Sequence, residues 1–136
     1  MIVLDTNVVS EVMRREPSQR VLQWLRDNES NLALPTITIA ELAFGIERIR
    51  PHDRPERWGN ALASIRKKLI DRILPFDEMS ALIYGEVNGL AARSGNTQSV
   101  SDGMIAAIAL RHNASLATRN LSHFLHVGLK LINPWD

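Results

Sequence analysis

Asp5, Glu41, Asp102 and Asn120 are far apart in this 136-residue chain, yet they occupy comparable places in its pattern. Asp5 follows the apolar run Ile2-Val3-Leu4, Asp102 opens a helical stretch, and Asn120 ends the run that begins at Ser115. Glu41 has Ile37, Thr38, Phe44 and Gly45 as its neighbours at three and four residues, on one face of a predicted helix. A carboxylate on a face with Ile37 and Phe44 is partly buried and needs an arginine, a proton or a metal ion as partner. Each of the four also has a plain structural use. Asp5 and Asp102 suit helix caps, Glu41 an ion pair with Arg48, and Asn120 the cap of a helix starting at Leu121. If the fold brings them to one rim, however, three carboxylates repel strongly unless a cation neutralises them. An all-oxygen set without histidine or cysteine favours Mg²⁺ or Mn²⁺, and magnesium binds phosphates well. The chemistry implied is hydrolysis of a phosphodiester. Asp5 and Asp102 would hold the ion, and Glu41 would hold it through a water or orient the attacking water.

The elements that must position these groups follow from the apolar pattern. Short runs without polar alternation at Ile2-Leu4 and Leu32-Leu34 read as strands covered on both faces, as in a parallel sheet. Further strands are predicted at Ile73-Phe76, with Pro75 marking an end or an edge, at Ser115-Thr118, and at Leu129-Ile132. Helices are predicted after Asp5-Thr6-Asn7, around Val21-Leu25, over Ile37-Ile49, Glu56-Asp71 and Met79-Ser94, from Ser101 onward, and briefly over Leu121-Leu125. Gly95 is placed for a left-handed cap, and Pro51-His52-Asp53-Arg54-Pro55 for a turn between two helices. Strands alternating with helices predict an α/β/α sandwich around a central parallel sheet of about five strands, in one domain spanning residues 1–136. In such sheets ligands bind beyond the carboxyl ends of the strands, where the strand order reverses.

Composition narrows the classes. The chain is 45% hydrophobic, and sixteen basic residues against fifteen acidic give a net charge of +1, so bulk charge announces no partner. Without the three site carboxylates the balance is sixteen to twelve; Arg54, Arg57, Arg66, Lys67, Lys68 and Arg72 supply much of the excess. They are candidates to line a polyanion's approach, or form a solvated helix face. The absence of cysteine excludes disulfides, thiolate metal sites and cysteine catalysis. No signal peptide is visible, and no apolar run nears the ~18 residues needed to span a bilayer, so a cytoplasmic domain without membrane contact is expected. His123 and His126 read as surface or capping residues, Trp24, Trp58 and Trp135 as core or interface. Val21, Leu22, Trp24 and Leu25 suit a core, or a groove for a partner.

Four ordered blocks carry a family resemblance: Asp5-Thr6-Asn7, Thr38-Ile39-Ala40-Glu41-Leu42-Ala43-Phe44-Gly45, Asp102-Gly103-Met104-Ile105-Ala106-Ala107 and Ala117-Thr118-Arg119-Asn120. Together they resemble PIN-domain nucleases, and the closing Ile132-Asn133-Pro134-Trp135 is similar to the VapC/FitB toxin branch. The resemblance spans the whole chain. It implies a PIN fold, Mg²⁺- or Mn²⁺-dependent ribonuclease activity on RNA, a homodimer, and neutralisation by a VapB- or FitA-like antitoxin, with larger toxin–antitoxin assemblies on DNA. Asp5, Glu41 and Asp102 fall on the family's acidic metal positions. Thr6, Asn7, Thr118 and Asn120 are expected beside them as contacts to phosphate or water. Asn120 departs from the aspartate often found at its position, which removes one negative charge and weakens the case for a second metal. The alternative is a catalytically weak PIN domain that binds nucleic acid or antitoxin. A receiver-like phosphorylation domain fits less well, because the first strand offers only Asp5 and the late lysine, Lys130, lies within the last strand.

Overall fold

Residues 1–49 and 55–136 are described by a computed structural model. Most of the proline-bounded interruption, including Arg54, lies outside the described residues. Strand β1 (Ile2–Leu4) is central and pairs in parallel with β2 (Leu32–Pro35) on one side and β4 (Ser115–Ala117) on the other. Outside them lie β3 (Ile73–Leu74) and β5 (Leu131–Ile132), giving a five-stranded, all-parallel sheet in the order β3-β2-β1-β4-β5. The chain moves outward from β1 to β3 and then crosses to the other side. The order therefore reverses between β1 and β4, and residues 5 and 118, just beyond those strands, meet at the switch point.

Neighbouring residues of β1 face opposite layers, which is why this strand reads as a continuous apolar run. Leu4 joins Leu32 and Leu34 in one core, with Val8 and Val9 of α1 (Thr6–Met13), Val21 of α2 (Gln19–Asp27), Leu42 and Ile46 of α3 (Thr36–Ile49) and Leu62 of α4 (Pro55–Lys68). Val3 and Ala33 point into the other core, with Leu116, Phe124, and Ile105 and Ile108 of α6 (Val100–Arg111). α5 (Glu78–Arg93) packs outside α6, so Ala106, Ala107 and Ala109 are buried and α6 has no long polar face. A Cβ on Gly103 would stand 2.7 Å from Asn88 Oδ1 and 2.8 Å from the Tyr84 ring. Glycine there lets α5 press against the first turn of α6.

Several boundaries differ from the sequence expectation for local reasons. α6 starts at Val100 rather than Ser101, because the Ser99 hydroxyl accepts the Asp102 N–H at 3.2 Å and caps the helix. α4 ends at Lys68, and a 3-10 turn over Ile70–Arg72 leads into β3. The last predicted short helix is a 3-10 turn at Leu121–His123, anchored by the fully buried Phe124. α5 closes as expected on Gly95, at φ +76°, with the Asn96 N–H bonded to the Ala91 carbonyl at 2.8 Å.

Candidate metal and phosphodiester site

Asp5 is the hub of the switch point. Its Oδ1 accepts the Thr6 N–H at 2.8 Å, so Asp5 caps α1. Its Oδ2 accepts from the Thr118 hydroxyl at 2.7 Å and the Asn7 amide at 3.1 Å. The Thr118 oxygen in turn accepts the Asn120 N–H at 3.0 Å, and Asn7 Oδ1 accepts the Arg119 N–H at 3.2 Å. Residues 5–7 and 118–120 are thereby knitted into one rim, with the Asp5 N–H bonded to the Ala117 carbonyl at 3.0 Å.

Glu41 reaches this rim along α3. The fully buried Thr38 donates to the Leu4 carbonyl at 3.0 Å, which ties the first turn of α3 to the end of β1. One turn further, Glu41 Oε1 accepts the Thr6 hydroxyl at 2.5 Å. Glu41 is half-buried, as its face predicted, but Phe44 is 69% exposed, so that face opens outward at its far end. Thr6, not Arg48, is its hydrogen-bond partner among the described residues. Asp102 lies in the first turn of α6 and contacts His123 Nδ1 at 3.2 Å.

Electrostatics bind the three acids together. Burial, above all, pushes the Asp5 carboxyl above its ordinary value; the hydrogen bonds from Thr118 and Thr6 pull the other way, and the charges of Asp102 and Glu41 add to the rise. Asp5 is 4% exposed, and its hydrogen-bond donors among the described residues are all neutral. Among the described residues, no three Asp, Glu or His side chains approach closely enough to hold an ion unaided.

The predicted accessory residues Thr6, Asn7, Thr118 and Asn120 all stand at this rim. Asn120 makes no side-chain cap to the following turn, so the capping use inferred for it is not realised. The basic residues of α4 gather elsewhere. Lys68 pairs with Glu29, just ahead of β2, at 3.2 Å, and Arg66 and Lys67 share its final helical turn. Arg72, just ahead of β3, donates to the Leu32 carbonyl at 2.6 Å. These positions mark the amino ends of the strands, opposite Asp5. Arg57 donates to the Met13 carbonyl at 3.0 Å, at the far end of α1. Arg119 lies in the 118–120 rim segment, and its guanidinium stands 4.9 Å from the Trp135 ring centroid. Its adjacency to Thr118 was visible in the sequence; its partner sixteen residues later was not. His123 was likewise read as a surface residue, and its contact with Asp102 depends on the turn after β4.

Comparison with known proteins agrees with this architecture. Residues 2–128 match the family model described as PIN domain. The chain is 40% identical over its full length to the VapC ribonuclease Y4jK of Sinorhizobium fredii, covering 99% of that protein. It is 37% identical to the toxin FitB of Neisseria gonorrhoeae, over 99% of each chain. A solved structure of FitAB bound to an IR36 DNA fragment contains a chain that superposes with a TM-score of 0.91 at 36% identity, covering 100% of this chain and 96% of that one.

Proposed function

This chain belongs to the PIN-domain family, within its VapC and FitB group, and from that premise we propose a metal-dependent endoribonuclease toxin restrained by an antitoxin. The observation that carries the reading is Asp5: a buried carboxylate met, among the described residues, by neutral donors alone, with two further acids adding to its electrostatic cost. A divalent cation relieves that arrangement. The donor set is all oxygen, which fits Mg²⁺ or Mn²⁺; Asp5 and Asp102 would hold such an ion, and Glu41 would act on it through a water. When bound, such an ion supplies an activated water and stabilises charge on the phosphate oxygens.

The chain's own residues do the rest. Thr118 and Asn7 fix the Asp5 carboxylate, and Thr6 fixes Glu41. Asn120, with its side chain free of the cap, is placed to meet a phosphate oxygen or a water. Arg119 contributes positive charge at the rim. Water as nucleophile needs no 2′-hydroxyl, so RNA as substrate rests on the kinship with a VapC ribonuclease.

We assign the antitoxin to the apolar groove of about 320 Å³ between α1, α2 and α4, lined by Val12, Leu22, Leu25, Ala61, Ile65 and Leu69. Of the residues that suited either a core or a groove, Val21 belongs to the core. The toxin works as one domain, as a homodimer, in the cytoplasm; among the described residues no helix is long and apolar enough to cross a membrane. Purified protein is expected to cut RNA with Mg²⁺ or Mn²⁺ and to stop with EDTA or with Asp5→Asn. RNA that is bound but left equally intact by wild type and Asp5→Asn, across transfer, ribosomal and messenger substrates, would establish the binding-module reading instead.

A further inference from the structure

A cavity of about 400 Å³ opens beside Asp102, between the α5–α6 connection and the 3-10 turn that follows β4. Its wall includes Asn96, Gln98, Asp102, Ser122, His123 and His126. Neither lysine nor arginine lines it, and its one carboxylate opposes a phosphate. Amides, a hydroxyl and two imidazoles are instead the groups that read the edge and stack on the face of an unpaired base.

Gln98 gives the cavity a direction. Its Nε2 donates to the His123 carbonyl at 3.0 Å, and because a carbonyl only accepts, the orientation of the amide is fixed. That leaves Gln98 Oε1 buried and without a hydrogen-bond partner. An orphaned acceptor beside a polar cavity calls for a donor from outside the chain. The same turn carries His123, which contacts Asp102 at 3.2 Å, so the cavity and the acidic rim share a wall.

Resting on the ribonuclease reading above, we infer that this cavity seats the nucleobase next to the scissile phosphate. Gln98 Oε1 accepts a hydrogen from the base edge, and His126 offers its ring to the base face. Adenine, cytosine and guanine present an exocyclic amino group to such an acceptor, whereas the uracil base has one donor on that edge, N3–H, set between two carbonyl oxygens that repel Oε1. The cavity therefore discriminates against uracil at one position.

The test uses the Asp5→Asn protein, expected to bind without cutting, and labelled pentaribonucleotides that differ in a single base. Fluorescence anisotropy should show about tenfold weaker binding when uracil occupies one position than when any of the other bases does. Adding Gln98→Leu should shrink that spread to about twofold, while adding His126→Ala should weaken every sequence alike by about tenfold. His126 is exposed, so its variant keeps the test open if Gln98→Leu disturbs the turn. A preference that survives Gln98→Leu, or no preference at any position, overturns the assignment. Base-selective binding lost in the Gln98 variant, in a protein whose wild type cuts no RNA, would sink the ribonuclease reading and leave the cavity's role intact.

Discussion

Asp5 caps the first turn of α1 and Glu11 lies in its last turn, and at 4% and 2% exposure both carboxylates are withdrawn from water. Glu11 is met by Arg14, whose Nη1 stands 2.8 Å and 3.2 Å from its two oxygens. Asp5, on the same helix, is met by a backbone amide, an asparagine and a threonine, with two more acids within electrostatic reach. A buried carboxylate that carries its own cation is a structural pair. One that is hydrogen-bonded in place but left negative among other negatives is a seat for a cation from solution. The contrast separates what α1 does for the fold from what it does for chemistry.

Exchanging the carboxylates for amides should separate the two roles most sharply. Asp5→Asn or Asp102→Asn should lower RNA cleavage by about 10³-fold. Asp5→Asn should also leave the metal-free protein as stable as before, or more so. Glu11→Gln should do the reverse, keeping cleavage within a few-fold while lowering stability by about 1.5–3 kcal/mol in urea unfolding. Comparable losses of stability in both variants would erase the distinction. Next in size, Mg²⁺ at a hundred times its dissociation constant should stabilise the wild type by about 2.7 kcal/mol, Glu11→Gln equally, and Asp5→Asn hardly at all.

Thr118→Val removes the 2.7 Å bond to Asp5 without touching its charge, and calorimetry should register about a tenfold loss of metal affinity. Asn120→Asp restores a negative charge at the rim and should tighten metal binding; unchanged affinity would place Asn120 outside the site. The subtlest effect is in pH. The Asp5 carboxyl in the folded protein titrates above its ordinary value of 3.8, so the native state holds the proton longer than the unfolded chain. In EDTA, its contribution should therefore make stability fall as pH rises from below 3.8 through the raised native value, then level off. The Asp5→Asn protein should lack that component in a pH series of urea unfolding curves.

Residues whose role is set by immediate neighbours were legible in the sequence. Ile2-Val3-Leu4 read as a strand covered on both faces, which set Asp5 at its end either as a helix cap or at the rim of a parallel sheet, and it is both. Gly95 likewise declared the end of α5. Burial was harder to read, because helical spacing says which residues share a face but not which way the face turns. Phe44, read on a partly buried face, is exposed, and Val21, which suited either a core or a groove, is core. The charges of α4 depended on topology: the crossover from β2 to β3 returns Lys68 to the amino end of the sheet, where it meets Glu29. Contacts made by irregular turns, such as His123 with Asp102 and Arg119 with Trp135, leave no periodic trace at all.

The central claim is that Asp5 and Asp102, with Glu41 behind a water, share a divalent cation. Crystals soaked in Mn²⁺ and measured near the manganese absorption edge locate such an ion by its anomalous scattering. The account predicts one peak at the end of β1, within about 2.2 Å of carboxylate oxygens of Asp5 and Asp102. A peak only at other surface acids, or none at a Mn²⁺ concentration that supports cleavage, would contradict it.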